Sequence, residues 1–157
     1  MDFHIGDQVI HSSFGFGEIT KIEEKRINGH LKNYYVVSIN NMTVWVPIDD
    51  GHSSLRIPTP PDEFLKTLPI LTSPQQDLQE DRVLRKKQLL DQLKDGQLAS
   101  ICRVIRDLTG YQSKTKLNDQ EKSILERAIR SLLTEWTISL GTPPNQAHQA
   151  MESMLHN

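Results

Sequence analysis

The stretch HSSFGFGEITKIEE, residues 11–24, sets Gly15 and Gly17 two apart between apolar residues, a spacing that could serve a phosphate-cradling loop. The dinucleotide fingerprint needs a third glycine three residues after the second, where this chain has Thr20. Neither glycine precedes the Lys-Ser/Thr pair of a nucleoside-triphosphate loop. Residues of strand type follow, whereas a phosphate would sit on a helix N-terminus. The glycines are therefore read as places where a short strand bends or turns sharply.

Other reactive side chains fall outside catalytic patterns. The histidines at 4, 11, 30, 52, 148 and 156 have no paired ligand spacing. Cys102 is the single cysteine, so no internal disulfide or thiolate cluster can form, and its place in an apolar helical stripe makes it a small core residue. No G-x-S-x-G or H-E-x-x-H pattern occurs. Glu23 and Glu24, like Asp49 and Asp50, are adjacent, and neighbouring side chains on a strand diverge. The expectation is a protein that is not an enzyme, with no metal and no cofactor.

The chain has 157 residues, 36% of them apolar and 24% charged, enough for one ordinary domain or two small ones. No apolar run of about 18 residues marks a membrane span. The start, MDFHIGDQ, lacks the basic and apolar regions of a secretory signal, so a cytoplasmic location is expected. The net charge of −2 conceals an uneven distribution. Residues 1–72 carry six Lys/Arg against nine Asp/Glu, whereas residues 82–106 carry seven basic residues against Asp91 and Asp95 alone. That local excess suits either a polyanion or an ordinary solvated helical surface.

Positioning these residues takes two kinds of element. In MTVWVPI, residues 42–48, Met42, Val44, Val46 and Ile48 alternate with Thr43, Trp45 and Pro47, so one face wants a core and the other presents an indole. YYVVSI at 34–39 is β-branched and aromatic. Asn28 and Gly29 suit a tight hairpin turn, and Asn40 and Asn41 suit a second, giving a meander of short strands. Residues 57–76 hold five of the eight prolines and read as a stiff, extended connection, with one helical turn possible from Pro61.

Beyond this point the period becomes helical. A helix is expected over about 77–94. Leu98, Ile101, Cys102, Ile105 and Leu108 form one stripe, and Ile124, Leu125, Ala128, Ile129, Leu132, Leu133, Trp136 and Leu140 a longer one. Asn118 and Glu121 sit at capping-box spacing, Gly141 with Pro143 and Pro144 ends the helix, and Ala147, Ala150, Met151, Met154 and Leu155 suggest a short terminal helix. The fold class is thus α+β, with an antiparallel β module over 1–57, a Pro-rich linker over 58–76 and a helical bundle over 77–157.

In this order, FHIGDQVIHSSFGFGEITKIEE, YYVV, MTVWVPID and LR at 55–56 resemble the N-terminal module of CarD/CdnL-type bacterial transcription regulators, also found in the transcription-repair coupling factor. LLDQLKDGQLASICRVIRDL is similar to the family's helix–Gly–helix segment, and KLNDQEKSILERAIRSLLTE to its third helix. The resemblance covers about residues 2–140. It implies a Tudor-like five-stranded module that binds the β subunit of RNA polymerase, joined to a helical domain that binds promoter DNA near the upstream edge of the melted region. It also implies a regulator that stabilises the opened promoter and catalyses nothing. A monomer without membrane contact is expected.

The resemblance implies polymerase contacts from the hairpin and the late strand, here Lys25, Arg26, Ile27, Val44, Trp45 and Val46. Lys25 matches a basic hairpin position, while Trp45 stands where an arginine is common. An outward indole is an interface anchor in one reading and packs under the linker or helical half in the other. The DNA-contacting set is Arg82, Arg85, Lys86, Lys87, Arg103 and Arg106. Arg82, Arg85 and Lys86 are spaced i, i+3 and i+4, as a phosphate-holding row would be. The family's minor-groove tryptophan aligns with Arg82, so the aromatic wedge is missing, and Trp136 belongs to a core stripe. The competing reading is a protein–protein adaptor whose helical half leaves DNA alone.

Overall fold

The computed structural model describes residues 2–50 and 54–156, so His52 and the side chain of Asp50 lie outside the described residues. The chain divides into two compact units, one ending at Pro58 and the other beginning at Thr59.

The first unit is a five-stranded antiparallel sheet: β1 (Gln8–His11), β2 (Gly15–Ile27), β3 (His30–Ile39), β4 (Met42–Pro47) and β5 (Leu55–Arg56), in the order β4-β3-β2-β1-β5. A 3-10 turn, Ile48–Asp50, follows β4. Asn28 and Gly29, with φ of 53° and 78°, make the hairpin turn between β2 and β3. Asn40 and Asn41, at 47° and 66°, make the next. Positive φ at both central residues lets a two-residue turn match the twist of its strands. A bulge between Ile19 and Lys21 leaves Thr20 unpaired, and its Oγ1 donates to the Val36 carbonyl at 3.2 Å.

The two glycines of the opening stretch have different duties. Gly15, at φ +91°, ends the turn from β1. Gly17 pairs with Val9 on β1, and a Cβ there would stand 2.5 Å from both Ile39 Cγ1 and the Ser38 carbonyl oxygen. Phe3, Val9, Ile19, Tyr35, Val37, Ile39, Val46 and Leu55 fill the core of this unit. The Tyr35 hydroxyl accepts the Phe3 N–H at 3.2 Å, tying down the first described residues.

The second unit holds five α-helices among the described residues: α1 (Pro61–Thr67), α2 (Arg82–Leu93), α3 (Leu98–Gln112), α4 (Asp119–Leu140) and α5 (Pro144–Leu155). The α3 stripe packs on the α4 stripe, with Cys102, Ile105, Leu108 and Leu132 fully buried. Each such leucine or isoleucine contributes about 1.5–3 kcal/mol. The capping box at Asn118 and Glu121 is complete, and Gly141 ends α4 in the left-handed conformation at φ 69°. Ala147 and Met151 seat α5 on the same core.

Two expectations are corrected here. Residues 58–76 are not an extended linker: α1 is followed by a 3-10 turn, Leu68–Thr72, and Phe64, Leu68 and Leu71 are core residues. The prolines permit this because Pro61 and Pro69 open their helical turns, where a missing N–H costs nothing. The helix expected over 77–94 begins at Arg82, set by Asp81, whose Oδ1 accepts from the Val83 and Leu84 amides at 2.9 and 3.0 Å.

Candidate functional site

On the first unit the feature with chemistry is the indole of β4 and its supports on β2. Trp45 pairs with Val36 on β3, and Val36 pairs with Lys21 on β2, so these three lie in one row across the sheet. The indole is 40% exposed. Its Nε1 donates to Glu23 Oε2 at 3.0 Å, Lys25 Nζ sits 3.8 Å from the ring centroid, and Lys21 Nζ lies 3.6 Å from Glu23. The indole hydrogen bond, helped by Lys21 and Lys25, holds the Glu23 carboxyl below the usual range against the opposing effect of burial. An exposed aromatic ring is thus fixed in orientation by a carboxylate at its edge and an ammonium over its face.

Strand alternation sorts the remaining residues proposed for this surface. Lys25 shares the Trp45 face, and its cross-strand partner is Lys32, a like-charge pair. Arg26, opposite Leu31, points to the other face, and Ile27 is 47% exposed. Val44 and Val46 are corrected: Val46 is a core residue and Val44 packs on that core, so their side chains turn inward. What they can offer a partner is backbone, since β4 is an outer strand of the sheet.

On the second unit the basic row is broken. Arg85 is buried, its Nε donating to Glu121 Oε2 and its Nη1 to the carbonyls of Gln79 and Glu80 at 3.1 and 3.0 Å. Its guanidinium carbon lies 5.0 Å from the Tyr111 ring centroid. Arg106 is also turned inward, donating from Nε to Asp107 Oδ1 at 2.9 Å and from Nη1 to Ser73 Oγ at 2.7 Å. Arg85 is thus spent on internal partners, which corrects its assignment to a DNA surface, and Arg106 is only partly buried, its Nη2 buried without a hydrogen-bond partner among the described residues. Arg82, Lys86, Lys87 and Arg103 are exposed, although Lys87 Nζ pairs with Asp91 at 3.0 Å.

The sequence reading missed an aliphatic component on the same helix. Val83, Leu84 and Leu90 are 75%, 51% and 40% exposed. The signal was present in the spacing: Arg85, Leu89 and Leu93 run i, i+4, i+8 toward the core, which leaves Val83 and Leu90, seven apart, on the outer side between Lys86 and Lys87.

Reactive groups elsewhere are spent on structure. Cys102 is buried, and burial, assisted by the charge of Glu135, pushes its thiol up to about 12. His11 Nδ1 accepts the Ser13 and Phe14 amides at 3.0 and 3.2 Å, closing the β1–β2 turn, and burial lowers its pKa. Among the described residues no group of three or more His, Cys, Asp or Glu is placed to hold a metal ion, and no helix is long and apolar enough to cross a membrane.

Residues 3–57 match the CarD-like/TRCF RID domain, and residues 66–152 match the CarD C-terminal domain. The chain belongs to the CarD-like family of transcription factors. It is 33% identical over 150 residues to YdeB of Bacillus subtilis (strain 168), a protein provisionally named a transcription factor, covering 92% of this chain and 96% of that relative. The first match covers the Tudor-like sheet, and the second covers most of the helical residues that follow it.

Proposed function

We propose that this CarD-like protein bridges RNA polymerase and promoter DNA. Its sheet unit binds the polymerase β subunit by adding a strand to β4, with Trp45 as the anchor and Lys25 beside it. Its helical unit meets promoter DNA near the upstream edge of the melted region through Arg82, Lys86, Lys87 and Arg103, and so stabilises the open complex. It acts in the cytoplasm as a monomer, without cofactor or catalysis.

The observation that carries this reading is the fixed, outward indole on an outer strand. A ring held by Glu23 and Lys25 loses little freedom on binding, and preorganisation of this kind strengthens an interface. Capture of purified polymerase core tests it. Trp45→Ala is expected to weaken capture by about 2 kcal/mol, roughly thirtyfold, as truncation of a buried aromatic anchor does. Lys25→Glu is expected to weaken it as well. Undiminished capture by both variants would remove β4 as the docking edge.

DNA contact is tested by anisotropy on forked promoter DNA over a salt series. Affinity should fall by roughly 0.9 log unit per log salt for each phosphate neutralised. The double variant Arg82→Glu, Lys86→Glu should lose that binding while still capturing polymerase. A second reading, a polymerase-bound adaptor that docks another protein on its helices, is favoured by the exposed Val83, Leu84 and Leu90 and by the inward turn of Arg85 and Arg106. Absence of DNA binding at low salt, with capture intact, would select it.

A further inference from the structure

Within the helical unit a cleft of about 700 Å³ lies between three elements: the chain that leaves the 3-10 turn Leu68–Thr72, the second half of α3 and the end of α5. That volume falls in the range of ligand sites, roughly 300–1,000 Å³. Ser73, Gln75 and Arg106 give the cleft a polar wall, and Leu71, Met154 and Leu155 give it an apolar one. All of these residues belong to the unit that begins at Thr59. The exposed cations Arg82, Lys86, Lys87 and Arg103 take no part in it.

Two of the three nitrogens of the Arg106 guanidinium are fixed, Nε on Asp107 Oδ1 and Nη1 on Ser73 Oγ. Both acceptors are held in turn: Asp107 Oδ1 also accepts the Gln76 N–H at 3.0 Å, and Ser73 Oγ donates to the Ile70 carbonyl at 2.6 Å. The third nitrogen, Nη2, is buried with no acceptor among the described residues, in a side chain only 10% exposed. Buried donors are nearly always bonded, so this one marks a place for an acceptor from outside the chain. Asp107, itself 3% exposed, already balances the charge of Arg106. What is missing is therefore an acceptor and not a counter-ion, and a second anion would face the Asp107 carboxylate. The Gln75 amide rests where a Cβ on Gly110 would stand, so the bare glycine seats a group that both donates and accepts.

We propose that this cleft binds a short, uncharged peptide segment. One main-chain carbonyl accepts from Arg106 Nη2, the next peptide group meets the Gln75 amide, and an aliphatic side chain lies on Leu71, Met154 and Leu155. Because Nη2 is covered, an entering oxygen needs a small shift of one wall, and the end of α5 is the wall that can give, since Met151 is its last buried residue. The site stands whether or not the helical unit binds DNA.

Titration of acetyl-alanyl-leucyl-alanine amide into the isotope-labelled whole chain tests it by NMR. Saturable shifts are expected in the Arg106 Nε–H resonance and in the amides of Gln75, Gly110, Met154 and Leu155. Arg106→Lys, which keeps the charge beside Asp107 and loses Nη2, should weaken binding roughly tenfold, as loss of a hydrogen bond to a charged donor does. Leu155→Ser, which thins the apolar wall, and Gly110→Ala, which displaces Gln75, should weaken it as well. Where Arg106→Lys does not fold by circular dichroism, those two variants decide. The same peptide ending in a free carboxylate should bind more weakly than the amide. Arg82→Glu should leave peptide binding unchanged, which keeps this result separate from any failure of DNA contact. Absence of saturable shifts at millimolar peptide, equal binding of the carboxylate form, or undiminished binding in the folded cleft variants would overturn the proposal and leave the cleft to solvent.

Discussion

The guanidinium of Arg85 donates from Nε to one oxygen of Glu121, while the other oxygen of the same carboxylate accepts the Asn118 N–H at 2.9 Å. One side chain therefore closes the capping box of α4 and receives the only charged group that α2 sends inward. The side chains are 8% and 3% exposed, so removing one partner leaves a buried charge unanswered.

Arg85→Ala should accordingly lower unfolding stability by about 3–5 kcal/mol, read by urea titration. Arg82→Glu, an exposed change at the start of the same helix, should move it by no more than about 0.5 kcal/mol. Equal, small effects from both would mean that the Arg85 pairing adds nothing to the fold.

Gly17→Ala should destabilise the sheet unit by roughly 1–3 kcal/mol, because the added methyl meets Ile39 and the Ser38 carbonyl on the neighbouring strand and the core must shift to admit it. Unfolding monitored on sheet-unit amides would reveal the loss. A neutral result would refute the close approach as the reason for glycine there.

The Glu23 carboxyl is held low in the folded chain, so its bond to Trp45 is complete above the ordinary glutamate value of 4.5 and is lost as pH falls through the lower folded value. The indole N–H resonance of Trp45 should stay in place from neutral pH to 4.5 and move below it, and Glu23→Gln should abolish that movement. A resonance that already shifts between pH 6 and 5 would contradict the assignment.

Cys102 rises from an ordinary 9.0 to about 12, so the folded state disfavours the thiolate. Stability tied to this group is present below pH 9.0 and is lost as pH climbs toward 12. At pH 8 an aromatic disulfide reagent should modify Cys102 only in denaturant. Rapid modification of the native chain would place the thiol outside the core.

Local chemistry made much of this fold readable. The turns at Asn28 and Asn40, the cap at Asn118, the stop at Gly141 and the core position of Trp136 each follow from a few neighbouring residues. Residues 61–72 hide their helical turns because proline elsewhere breaks a helix, although Phe64, Leu68 and Leu71 stand at i, i+4 and i+7. The candidate surfaces were half legible. Trp45 faces outward as its alternation requires, whereas Arg85 meets a carboxylate 36 residues away, a pairing that no local spacing announces. Arg106 had its partner at the next position, but its turn toward Ser73 depends on how the chain packs over 68–73.

An outer strand turns every second amide away from its neighbour, and among the described residues β4 has a neighbour only in β3. Along Met42–Pro47 the hydrogens should therefore fall into two classes in deuterated solvent, one slow to exchange and one fast. Any partner that completes the sheet would convert the fast class to the slow one, so the strand carries its own footprint of occupancy, legible without a label.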